Sequence, residues 1–209
     1  MKLKLLGKDE QIGIFVPGAQ MDGRLTFCKE FLKHPRQIGS IIPSSPFLER
    51  RIVDAARVHS AKTIIELGPG IGGTTRAILR AAPSNARLLC IEVNPHLHAL
   101  VHCIDDDRLI VHLGNGRGLQ EILSLYRLDS PDVVISGIPF STMSSISGSQ
   151  IVEEIFTVLA PGGCFVAYQV SKRVATLCRP LLGQEQMELE LFNIPPMRVY
   201  RWEKNYNSS

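Results

Sequence analysis

The stretch TIIELGPGIGGTT, residues 63–75, constrains the fold more than any other part of the chain. A short β-branched apolar run ends at glycines, and a helical pattern begins straight after them. A run that short, bounded by glycine, reads as a buried strand. Strand, glycine loop and helix in that order open a βαβ unit, and the alternation continues. ARLLCIEV (86–93), LIVHL (109–113), DVVIS (132–136) and CFVAYQV (164–170) read as further strands. Residues 74–82, 95–103, 119–126, 149–159 and 171–182 read as the helices. Such alternation makes an α/β fold, a mostly parallel sheet with helices on both faces. MELELFNI (187–194) and MRVYRWEK (197–204) alternate apolar and polar residues with no long helix between them. They complete seven strands with an antiparallel edge strand.

The N-terminal quarter lacks this alternation. Residues 1–21 carry Gly and Pro without a sustained period and read as a flexible arm. In 22–35 (DGRLTFCKEFLKHP), Leu25, Cys28, Phe31 and Leu32 fall at helical spacing, with Lys29 and Lys33 on an adjoining face, until Pro35 stops the helix. FLERRIVDAARV (47–58) predicts a second amphipathic helix with Leu48, Ile52, Val53 and Ala56 inward. The expected organisation is an arm (1–21), an N-terminal helical extension (22–58) and one larger domain (59–209). The five cysteines are scattered and form no CxxC pair, which argues against a disulfide framework. The start, MKLKLLGKDEQ, breaks its apolar stretch at Lys8, Asp9 and Glu10, unlike a signal peptide. No apolar run approaches the ~20 residues that span a bilayer. A cytoplasmic protein is expected.

The glycine loop has the form E-x-G-x-G-x-G, from Glu66 through Gly68 and Gly70 to Gly72. Glycines let backbone approach a ligand closely, and the helix start offers free N–H groups. No Lys follows, so it is not a phosphate-cradling P-loop. A carboxylate at Glu66 repels pyrophosphate and suits a ligand with an amino group or positive charge. S-adenosyl-L-methionine, with an adenosine, an amino acid tail, a sulfonium and no phosphate, meets that requirement better than NAD. The next strand ends in Glu92, where an acid accepts two hydrogen bonds from a ribose diol. Gly114-Asn115-Gly116 follows the third strand. It reads equally as an adenine contact or a plain turn. Ser136-Gly137-Ile138-Pro139-Phe140 follows the fourth strand, at the sheet edge where open α/β folds bind ligands. His98, His102 and Cys103 share one helix, but no fourth ligand lies nearby, so no metal is expected.

ELGPGIGGTT, the acid in CIEVNP, SGIPF, the APGG turn and the closing NIPPMRVYRWEK resemble the class I S-adenosylmethionine-dependent methyltransferases, which have a Rossmann-like fold. Within these the chain resembles the bacterial phospholipid N-methyltransferase family, over roughly residues 22–204. That resemblance implies methylation of the amino head group of phosphatidylethanolamine, with related enzymes acting on ornithine lipids. It also implies a peripheral position on the inner face of the cytoplasmic membrane. There the basic helix leading into the Pro43-Ser44-Ser45 turn would meet an anionic surface. By position, Glu66, Gly68, Gly70 and Gly72 would line the methionine part, and Glu92 and Val93 the ribose. Asn115, where the family usually has Asp, and Gly116 would meet the adenine. Carbonyls of the loop Ser136, Gly137, Ile138 and Pro139, with Ser44, Ser45 or Tyr168, would orient the amine. His34 and Arg36 are the head-group candidates before the turn. The rRNA adenine dimethylases share the cofactor loops, but Ser136-Gly137 replaces the Asn that binds their base, so no nucleic-acid partner is expected. A binding module that methylates nothing is the third reading, supported only by Asn115.

Overall fold

The computed structural model describes residues 44–205. In chain order the elements are α1 (Pro46–Ala56), β1 (Thr63–Leu67), α2 (Gly73–Ala81), β2 (Arg87–Glu92), α3 (Pro95–His102), β3 (Leu109–Leu113) and α4 (Leu119–Leu125). Then follow β4 (Val133–Ser136), α5 (Ser145–Val158), β5 (Cys164–Gln169), α6 (Arg173–Leu182), β6 (Gln186–Glu190) and β7 (Met197–Glu203). One seven-stranded sheet runs β3-β2-β1-β4-β5-β7-β6. β1 to β5 are parallel, and β7 runs antiparallel to both β5 and β6. This is the Rossmann-like class I methyltransferase fold. The strand order reverses between β1 and β4, whose ends pair Leu67 with Ser136. A crevice opens at such a reversal.

Strand alternation divides the core in two. Ile64, Leu88, Cys90, Ile135 and Val166 face α1 and α2, whereas Ile65, Leu89, Val134, Phe165 and Trp202 face α4, α5 and α6. β1 is buried along its whole length, which is why its sequence is an apolar run rather than an alternation. Glu66 is the one charged residue in it.

α1 is part of this core. Leu48, Ile52 and Ala56 are buried with Val133, Val166 and Val199. Burying Leu48 and Ile52 contributes about 1.5–3 kcal/mol each. Val53, expected inward, is half-buried. The helix starts at Pro46 because the Ser45 side chain accepts a hydrogen bond from Leu48 N at 3.2 Å, and proline suits the first turn. It stops where Arg57 turns left-handed, with φ of 52°. The domain therefore begins before residue 59. α5 starts at Ser145, four residues earlier than expected, because Ser144 caps it by accepting from Ser147 N. β6 ends at Glu190 rather than running to Ile194. Its last carboxylate accepts from Phe192 N at 2.8 Å and bends the chain into a turn.

Cys90, Cys164 and Cys178 are free and buried, whereas Cys103 is disulfide-bonded. The arm, the helix expected at 22–35 and the candidates His34 and Arg36 lie outside the described residues. Among the described residues no helix is long and apolar enough to cross a bilayer.

Candidate active site

A cleft of about 710 Å³ opens over the ends of β1, β2 and β4. One wall follows the first three strands. Gly68, Pro69, Gly70, Ile71 and Gly73 form its floor, with Glu92, Val93, Gly114, Asn115 and Gly116 beside them. Gly68 has φ of 71°, a left-handed backbone that suits glycine, and a Cβ there would only make an ordinary contact with Ile138 at 3.4 Å. The loop is braced by Gly68 N donating to Ile91 O at 2.9 Å and Gly72 N to Pro69 O at 3.0 Å. Glu92 is buried. It accepts from Asn94 N at 2.9 Å and, with its other oxygen, from Gly70 N at 3.4 Å. Asn115 is exposed and its side-chain oxygen accepts from Arg117 N at 3.0 Å. A Cβ on Gly116 would meet Leu67, Ile138 and Ile151 at 3.7–3.8 Å, so this glycine borders an apolar slot.

Glu66 does not line the cleft. It sits behind the glycine loop, fully buried, where one oxygen accepts from Thr75 at 2.6 Å and from the Cys90 thiol at 3.2 Å. Its other oxygen, Oε1, is buried without a hydrogen-bond partner. Burial lifts its pKa to about 7, against the pull of the Thr75 and Cys90 hydrogen bonds and with help from the Glu92 and Glu49 carboxylates. Glu49, which the sequence does not single out, reaches from α1 to the start of α2. There a Cβ on Gly73 would stand 2.7 Å from its Oε1. Three carboxylates thus surround the loop. Glu49 is partly offset by Arg80 at 3.5 Å, but Glu92 and the ionised fraction of Glu66 leave the loop acidic, which suits a cationic ligand better than a pyrophosphate.

The opposite wall comes from distant segments. Gly137, Ile138 and Pro139 follow β4, and Met143 and Ile151 lie behind them. Tyr168 and Val170 close β5, and Asn193, Ile194, Pro195 and Met197 come from the β6–β7 turn. Ser44 and Leu48 complete the wall. Asn193 Oδ1 accepts from Ser45 N at 2.8 Å, and its amide nitrogen donates to Pro195 O at 2.8 Å. This residue ties the α1 start to the turn.

Several sequence-derived candidates sit differently from expectation. Ser45 does not line the cleft, because its hydroxyl caps α1. Gly72 and Ser136 are not on the wall either. Gly72 forms the left-handed cap of α2, and the buried Ser136 hydroxyl accepts from Ile138 N at 3.3 Å. The Ile138 carbonyl accepts from Phe140 N and from the Gln169 side chain, and that of Pro139 from both Thr142 N and its hydroxyl. Both lone pairs of each oxygen are thereby used. Among the described residues, no hydrogen bond falls on the Gly137 carbonyl. The Tyr168 hydroxyl lies against Gly137, into which a Cβ could not fit. Burial, then the nearby Glu66 charge, pushes the Tyr168 pKa far up, so the phenol stays protonated. Asn193, Ile194, Pro195 and Met197 were not identified from sequence as site residues. The signals were the NIPP break between two alternating strands and the place of NIPPMRVYRWEK among the motifs that carry the family resemblance. His98 and His102 stand with ring centroids 5.9 Å apart, and no His/Cys/Asp/Glu group among the described residues is arranged to hold a metal.

No protein-family model matches the chain. The ornithine lipid N-methyltransferase of Singulisphaera acidiphila is 30% identical over 177 residues, covering 83% of this chain and 92% of that protein. Ribosomal RNA small subunit methyltransferase A of Syntrophotalea carbinolica is 34% identical over 102 residues, 47% of this chain and 37% of that protein. The structure of N-methyltransferase NodS from Bradyrhizobium japonicum, in complex with S-adenosyl-L-homocysteine, aligns with a TM-score of 0.61. The alignment covers 88% of this chain and 99% of that one, at 14% identity, and shows a shared fold. The cofactor is S-adenosyl-L-methionine, and it fits the acidic, glycine-lined loop with Glu92 on the cleft wall. The chain belongs to the class I S-adenosylmethionine-dependent methyltransferases, in the family of the ornithine lipid N-methyltransferase.

Proposed function

We propose that the protein methylates the primary amine of a membrane amino lipid. The carrying observation is the cleft's polarity. It is anionic and glycine-lined at one end, apolar along Ile138, Met143, Val170, Ile194 and Met197 at the other, and edged by exposed hydrophobic side chains. Ornithine lipid and phosphatidylethanolamine head groups both carry a primary amine. The relative's name makes ornithine lipid the first substrate to test and phosphatidylethanolamine the second.

When bound, the cofactor supplies a methyl group already activated on a cationic sulfur. The protein's residues position and desolvate. Glu92 would hold the ribose diol, Val93 and the slot at Gly116 would pack the adenine, and Asn115 would meet its amino group. Gly68 and Gly70 would line the methionine part, while Glu66, behind the loop, would act on its ammonium only through the field. A lipid amine has a pKa near that of Lys, about 10. The apolar wall disfavours its charged form and so promotes the neutral nucleophile. Tyr168 is not a base, because it keeps its own proton. Its oxygen and the Gly137 carbonyl accept hydrogen bonds from the amine and aim its lone pair at the methyl group. The proton leaves through the open mouth beside Ser44. The helix expected at 22–35, with His34 and Arg36, is proposed as a further contact to the head-group phosphate or carboxylate. It would hold the enzyme on the inner face of the membrane.

The decisive experiment incubates the protein with radiolabelled S-adenosyl-L-methionine and ornithine-lipid vesicles, phosphatidylethanolamine vesicles or ribosomal RNA. Label in either lipid is expected. Label in RNA alone would overturn the proposal. Cofactor binding without transfer to any of them would leave a binding module.

A further inference from the structure

Leu191, Phe192 and Ile194 are apolar residues of the β6–β7 turn, on either side of the buried Asn193, and are 64%, 73% and 83% exposed. Phe47, 59% exposed at the start of α1, joins them, with its ring centroid 5.2 Å from that of Phe192. Isolated exposed apolar residues are ordinary, but four together on one tip mark an interaction surface. The turn is also held out. Glu190 accepts from Phe192 N, and Asn193 bonds to both Ser45 and Pro195. The side chains therefore project from a braced scaffold and do not fold back over the core.

We infer that this tip enters the interfacial layer of a lipid bilayer and seats the cleft mouth on the membrane. The inference rests on the proposed lipid substrate. Two observations favour a bilayer over other occupants. First, the tip is continuous with the cleft, since Ile194 belongs to both. A lipid whose amine lies at Tyr168 must send its acyl chains out past this residue. Second, the two carboxylates nearest the tip, Glu188 and Glu190, both pair with Arg51, which offsets one of their two charges and turns both toward α1. Arg50, 86% exposed beside Phe47 and in a loose surface pair with Asp54 at 3.7 Å, and Arg198, which donates to the Val170 carbonyl at the rim, stand where lipid phosphates would lie. A tip of this kind binds mainly by apolar burial, so its contribution persists at high salt, unlike that of a basic helix.

The test uses the full chain. Leu191→Ser with Phe192→Ser should weaken sedimentation with phosphatidylethanolamine–phosphatidylglycerol vesicles roughly tenfold or more, at low and high salt alike. Affinity for S-adenosyl-L-homocysteine and turnover of a monomeric short-chain amino lipid should not change. In F192W, vesicles should shift the new indole's emission to the blue over the constant background of buried Trp202. Unchanged sedimentation, or emission that vesicles do not move, would overturn the inference. Emission already blue without vesicles would overturn it too. Dependence of that emission on protein concentration would point to a second copy, and independence to cover by the chain's own residues 1–43. If the tip inserts but no amino lipid is methylated, the substrate reading fails and the surface stands. If lipid is methylated while sedimentation of the double variant is unchanged, the reverse holds.

Discussion

The two walls of the cleft are built in opposite ways. The cofactor wall draws on three loops, each directly after a strand, and its groups are glycines and carboxylates. The wall proposed to hold the substrate gathers Ser44, the β4 loop, the end of β5 and the β6–β7 turn, and is mostly apolar. Its parts are held by contacts such as the Ser45–Asn193 hydrogen bond, which joins residues 148 apart in the chain. The difference separates two tasks. A shared cofactor is recognised by local geometry that any strand-loop-helix unit can present. A particular acceptor is recognised by shape, which must be assembled from whatever segments the fold brings to that edge.

If the walls act separately, variants should split their effects. The largest is expected for Gly68→Val, which forces a β-branched residue into a left-handed backbone against Ile138. Affinity for S-adenosyl-L-homocysteine should fall by about 100-fold, read by calorimetry, the equivalent of about 3 kcal/mol of strain. Normal binding would break the account of the cofactor wall. Glu92→Gln should weaken the same ligand roughly tenfold or more, since charged hydrogen bonds contribute about 1.5–3 kcal/mol. Vesicle sedimentation should not respond. Asn193→Ala should act on the other side. It removes both side-chain hydrogen bonds of Asn193, lowers stability by about 2 kcal/mol in thermal melts and raises KM for lipid, with cofactor affinity retained. A matching loss of cofactor affinity would show that the walls are coupled.

The smallest effect concerns pH. Glu66 holds its proton up to about 7 in the fold against 4.5 ordinarily. Between those values the unfolded chain has released a proton that the folded chain keeps. Stability of the cofactor-free protein therefore declines as pH rises through that window and levels off above it. The cofactor's ammonium favours the ionised carboxylate, so S-adenosyl-L-homocysteine should bind more tightly toward the upper end. Glu66→Gln should flatten both profiles in melts and calorimetry. A slope that survives this substitution would assign it to another group.

Most strands were legible from their apolar runs: TIIEL matches the wholly buried β1 residue for residue, and LIVHL the half-buried edge strand β3. Boundaries set by side-chain caps were harder. Ser144 competes with other serines nearby, and only the structure shows which one bonds to Ser147 N. Of the site, Gly68, Gly70, Glu92, Val93, Asn115 and Gly116 were readable and do line the cleft. Glu49 was not, because a lone acid in an amphipathic helix has the pattern of a solvated residue. Its role comes from α1 packing beside the start of α2.

By itself the sequence determined the seven-strand plan with its antiparallel end and the chemistry of the loop that excludes phosphate. These depend on periodicity, glycine and charge within a few neighbouring residues. Tertiary structure decided that Ser45 caps a helix, that Ser136 is sealed beneath its own loop, and that the NIPP turn becomes a cleft wall with an exposed apolar tip. Each of those depends on which distant groups satisfy a hydrogen bond or cover a side chain, and chain order does not encode that directly.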